Sequence, residues 1–91
     1  MKNILVTTKH RGVFLAQADD DADISLKTLT GLKNGIMVIN WRNGKGVQGI
    51  AVDGPENCKL SAMSDIPVLH DVTAVFSVTD AAAEKIWNHG K

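Results

Sequence analysis

A single cysteine, no tyrosine, two phenylalanines, two tryptophans and two prolines stand in a chain of 91 residues. Each scarcity excludes something. With Cys58 alone there is no internal disulfide and no cysteine-rich zinc site, so nothing calls for an oxidising compartment. No apolar run approaches the roughly 20 residues of a membrane helix. Met1-Lys2-Asn3 is followed by only three apolar residues, Ile4 to Val6, too few for a signal-peptide core. A cytoplasmic protein without a membrane partner is expected. Charge of one sign is also lacking: ten cations balance ten anions, which is not the balance of a nucleic-acid-binding protein.

What is present is β-prone and unevenly charged. Residues 1–45 hold seven cations and four anions, and residues 46–91 hold three cations and six anions. The four early acids, Asp19, Asp20, Asp21 and Asp23, form one cluster, which leaves the rest of the first half basic. One domain over residues 1–91 is expected, and folding at this size hides only about 60–65% of the unfolded chain's surface. So thin a core favours association.

The stretch Gly35 to Val52 predicts a β-hairpin. An apolar run climbs to Trp41, crosses Arg42-Asn43-Gly44-Lys45-Gly46 and descends as a second apolar run, and Asn43-Gly44 suits a two-residue type I′ turn. In that register Met37, Ile39, Trp41, Ile50 and Val52 share the core face, with Trp41 largely buried. Val38, Gly49 and Ala51 form a small, flat opposite face suited to a second subunit. A homo-oligomer is therefore expected, a dimer being the commonest closed form.

Along the rest of the chain, Asn3–Thr8 and Val13–Ala18 read as strands separated by Lys9-His10-Arg11-Gly12. Asp19 to Asp23 is a turn, because adjacent carboxylates repel in regular elements. Ile24 to Thr28 alternates as a half-buried strand ended by Gly31, and Lys33-Asn34-Gly35 is a second turn. Cys58–Leu60 is a short strand before polar Ser61 to Asp65, and Val68 to Val78 is a last strand with a bulge near Asp71. Thr79 or Asp80 caps a helix to about His89, with Ala83, Ile86 and Trp87 on one stripe and Gly90 as its stop. The expected fold is mostly β: a small SH3-like or related β-barrel or sandwich of about five to six strands with one C-terminal helix. Closure would remove exposed edges.

The chemistry-bearing constellations fail on spacing. Asp19, Asp21 and Asp23 stand at the first, third and fifth positions of a calcium loop, but Ile24 replaces the glycine and Thr30 the glutamate it needs. His10, His70 and His89 lack metal-ligand spacing, so no metal is expected. Cys58, His70 and Asp71 are the residue types of a nucleophile, base and orienter without a supporting pattern. Gly44-Lys45-Gly46 belongs to no phosphate-binding loop. No enzymatic activity and no cofactor are expected.

Two basic turns rise above this background. Lys9, His10, Arg11 and Gly12 form one, and Trp41, Arg42, Asn43, Lys45 and Gly46 the other. Each combines cations with glycines that expose backbone N–H groups to an anion, and Trp41 or His10 offers a stacking face. A nucleotide-like anionic ligand is the expected occupant. Hairpin tips are also polar and glycine-rich for turn reasons alone, so the reading depends on whether the two turns converge.

The runs VTTKHRGVFLAQ (6–17), VINW (38–41), GIAVDGPENCKL (49–60) and DVTAVFSVT (71–79) together resemble a family of small uncharacterised proteins encoded by bacteriophages and prophages. The shared pattern is an HRGVF-like start, a tryptophan strand, a GP segment and a late VT strand. The chain departs from it at Asn40, where an aromatic residue would precede the tryptophan, and at Ile50, where leucine is usual. The resemblance implies a phage accessory protein in a bacterial host's cytoplasm, with no catalytic role and no residue to transfer. Such a protein acts by occupying something: a small ligand of host defence, a host protein surface, or a place in an assembly.

Overall fold

The computed structural model describes residues 2–9, 12–25, 27–41, 46–54 and 58–88. The fold is mostly β, with strands β1 (Lys2–Thr8), β2 (Val13–Ala18), β3 (Leu29–Trp41), β4 (Cys58–Leu60), β5 (Ser64–Leu69) and β6 (Val72–Ser77). Helix α1 (Gly46–Asp53) follows β3, and α2 (Asp80–Trp87) is the last element among the described residues. All pairings are antiparallel. The order is β4-β3-β2-β1-β6, with β5 also on β3.

The central strand is longer than its punctuation suggests. Gly31 and Asn34 do not end strands but sit inside β3 at φ +66° and +54°. Both are residues that tolerate positive φ, and the pairing slips beside them, between Leu32 and Gly35 against β5 and between Leu15 and Gln17 against β2. They act as bulges that bend the strand. The segment 24–28 expected as a strand precedes β3 as turns and bends among its described residues. β4 and β5 return along one edge of β3 in nearly constant register, Cys58 opposite Trp41 and Leu69 opposite Leu29.

A flat sheet could not be connected this way. β5 and β6 lie four strand spacings apart, about 19 Å at 4.8 Å each. Only His70 and Asp71 lie between them, and the span from Leu69 to Val72 reaches about 10 Å when extended. The sheet therefore rolls far enough for this short link to join β5 to β6 without the two strands pairing, and Asp71 turns the corner at φ +58°. The expected last strand over 68–78 is thus two strands on opposite flanks. The sheet is not closed into the SH3-like barrel expected. One backbone bond, Val72 N–H to Lys27 O at 2.9 Å, spans the seam beside β6.

Each face of the sheet carries a core. Leu5, Val13, Leu15, Ile36 and Val38 meet Ile50 and Ala51 of α1 and Ala82 and Ile86 of α2 on one face. On the other, Ile4, Val6, Ala16 and Ala18 meet Leu29, Leu32 and Leu69, brought over by the bent β3 and by β5.

The second arm of the expected hairpin is a helix, and among the described side chains of the expected core face only Ile50 is buried. Val38 is 2% exposed and Ala51 3%, whereas Met37 is 42%, Ile39 52% and Val52 56% exposed. Helical geometry buries Gly49, Ile50 and Ala51 together against α2, and small residues there let the two helices approach. The surface assigned to a second subunit is core. Burial of Ile50 alone is worth about 1.5–3 kcal/mol, enough to override the modest preference of β-branched residues for strands. Thr79 then joins the helices. Its N–H donates to Ala51 O at 2.9 Å, its hydroxyl to Val52 O at 2.8 Å, and its oxygen accepts from Ala82 N at 3.1 Å as the α2 N-cap. Lys85 adds a bond to Asp53 O at 3.2 Å, so the C-terminal carbonyls of α1 are capped by α2.

Candidate functional site at one end of the sheet

The tip between β1 and β2 is closed by Thr8 N–H to Gly12 O at 2.9 Å and by Gly12 N–H to the Thr8 hydroxyl at 3.1 Å. Gly12 is buried, and a Cβ there would lie 2.8 Å from the Phe14 ring and press on Thr8 Oγ1. Steric closeness accounts for this glycine. Lys9 is exposed, while its N–H anchors the tip to Asp71 O at 2.9 Å.

The pairing register decides where the described flanks of the two basic turns stand. β2 runs antiparallel to β3 with Phe14 opposite Met37, so the first residue of β2 and the last of β3 lie at the same end of the sheet. Lys9 and Gly12 flank the tip there, Trp41 ends β3 there, and the chain re-enters at Gly46, exposed at φ +71°. His10, Arg11, Arg42, Asn43 and Lys45 lie outside the described residues, as do the Trp41 side chain and the Asn43-Gly44 turn. The described backbone flanks of both turns, Thr8–Lys9 and Gly12 for one and Trp41 for the other, lie toward the same end of the β2–β3 pair. Beside them, on the face that carries Phe14, Met37 and Ile39 are exposed.

The other candidate sets do not assemble. Cys58 is opposite Trp41 at one end of β3, whereas His70 follows Leu69, opposite Leu29 at the other end, with its Nδ1 3.3 Å from the Thr28 hydroxyl. The Cys58 side chain lies outside the described residues. Asp19 to Asp23 makes a solvated turn, with Ala22 N–H on Asp19 O at 3.0 Å. Asp23 accepts from the Ser25 hydroxyl and from Ser25 N–H at 3.0 Å, which together hold its carboxyl below the usual value. Among the described residues no group of three or more His, Cys, Asp or Glu is arranged to hold a metal ion.

Residues 1–86 match the family model of a domain of unknown function, DUF6948. The chain belongs to that family. No curated protein and no solved structure matches it. Membership agrees with the likeness to an uncharacterised family and brings no site residues with it. No helix among the described residues is long and apolar enough to cross a membrane.

Two cavities open on the rolled side, and neither was legible as a motif. One of about 450 Å³ lies along β6, between Val72–Val75 and Ile24, Ser25 and Lys27. The other, about 320 Å³, lies between Asp19–Ile24 and Thr28–Leu32. The available signal was the uncharged, β-branched run Val72-Thr73-Ala74-Val75-Phe76-Ser77, with no residue that protects an edge.

Proposed function

We propose that this DUF6948 chain is a non-catalytic binding protein that holds a small anionic, nucleotide-like ligand at the end of the sheet bearing both basic turns. The observation that supports the reading is the β2–β3 register, which puts the described flanks of the two segments, Gly12 before β2 and Trp41 at the close of β3, toward the same end. Lys9, Arg11, Arg42 and Lys45 supply cations, and Gly12 and Gly46 lie in the same two segments. Arginine's planar fork suits phosphate oxygens. The likeness to phage and prophage proteins supports an accessory, counter-defence role in a bacterial cytoplasm, exercised by sequestering the ligand as a homo-oligomer.

Titration against a panel of mono-, di- and cyclic nucleotides tests this. Wild type is expected to bind at least one, and Arg42→Ala with Lys45→Ala to lose at least about a hundredfold in affinity, since each of the two charge-assisted contacts contributes about 1.5–3 kcal/mol. No binding by wild type, or equal binding by both, rejects the reading. A second reading, inhibition of a host protein by occupying its surface, is favoured by exposed Met37 and Ile39 beside the same end. It predicts that Met37→Lys abolishes partner capture and leaves any nucleotide affinity unchanged.

A further inference from the structure

We propose that the open edge of β6 is a dimer interface, in which two copies pair β6 antiparallel across a two-fold axis and continue one sheet into the next. The proposal stands independently of the ligand reading.

The two flanks of the sheet are built differently. β5 carries Asp65 and Pro67, and β4 carries exposed Lys59, with Lys33 Nζ 3.6 Å from Asp65. Charge and proline are the devices by which edge strands resist pairing with another chain. β6 has neither, and all six of its residues are uncharged. Its polar groups are aimed outward. Val78 N–H donates to Asn3 O at 3.0 Å, and alternate residues of a strand face the same edge. Phe76 and Ala74 therefore bond toward β1, while Val75 and Ser77 present N–H and C=O to the open side.

Beyond that side lies the cavity of about 450 Å³, walled by Ile24, Ser25 and Lys27 and pinched shut at one end by the Val72–Lys27 bond. An extended strand satisfies such an edge with backbone bonds. A second β6 meets it without placing like charges opposite each other, and the two-fold makes every contact twice. Charge agrees as well. Antiparallel pairing sets the Val72 end of one strand against the Ser77 end of the other, so exposed Lys27, beside Val72, comes to the end where Asp80 of the partner subunit stands. Proline at position 77 would remove an outward N–H and no bond to β1.

Sedimentation over a concentration series, with amide hydrogen exchange on the same samples, tests the interface. Wild type is expected at twice its 9.8 kDa chain mass, with Val75 and Ser77 amides protected in proportion to dimer. Ser77→Pro is expected to sediment as a monomer with unchanged circular dichroism and fast exchange at Val75. Lys27→Asp is expected to weaken the dimer and Lys27→Asp with Asp80→Lys to restore it. A monomeric wild type, or a dimer whose Val75 and Ser77 amides exchange freely, overturns the proposal, the first pointing to a strand of another protein at this edge. A dimer that persists in folded Ser77→Pro overturns it too. Should that variant fail to fold, wild-type exchange decides alone.

Discussion

The two faces of the sheet are covered by different means. One lies under α1 and α2, which are joined by the three bonds of Thr79 and pack Ile50, Ala82 and Ile86, each 0% exposed, onto the strands. The other lies under the chain's own bent β3 and β5, and both cavities open on that side. A helix pair is a separate layer that can settle onto a sheet until the gap closes. A strand that must stay in its ladder can only roll as far as its bulges permit, so it leaves a seam. In this chain the closed face holds the fold together and the seamed face offers surfaces.

Core truncation on each face is the strongest way to break that contrast. Large-to-small changes cost about 2–5 kcal/mol, more where the site cannot collapse. Ile86→Ala is expected at the upper end of that range and Leu29→Ala, which lines a cavity, at the lower. Urea denaturation measures both, and equal or reversed losses would show that the faces are alike. Next comes Thr79→Ala, which removes the α2 cap and the hydroxyl bond to Val52 O, for an expected cost of about 1–2 kcal/mol. Thr79→Ser should recover most of the loss. If alanine is as stable as wild type, the helices do not depend on that link.

The smallest effect is electrostatic and belongs to the seamed face. Asp23 has its carboxyl lowered by the Ser25 hydroxyl first and the Ser25 N–H second. A lowered folded-state value means that its contribution is present above the unfolded carboxylate value and disappears as pH falls through the folded one. Wild type should therefore lose slightly more stability than Asp23→Asn as pH drops below about 4, near the unfolded carboxylate value. Parallel melting curves for the two across that range would remove the effect.

Local chemistry was enough for much of this architecture. β1 and β2 with a break between them, the acidic turn, β4, and α2 with a cap at Thr79 or Asp80, which the fold assigns to Thr79, follow from alternation, turn residues and a capping side chain, all read within a few positions of one another. The basic turns were visible for the same reason, as were the positions Gly31, Asn34 and Asp71, where the chain does something unusual. What the unusual feature was could not be read locally. Gly31 and Asn34 became bulges within a single strand because β2 and β5 hold β3 from both sides, and Asp71 became a corner because two flanks of a rolled sheet must be joined by two residues. The run after Gly46 alternates well enough for a strand, and only the presence of α2 makes the helix preferable, by burying Gly49, Ile50 and Ala51 together and capping their carbonyls. Side-chain period belongs to the sequence, but the choice between two periods that both fit was made by what lay across the core.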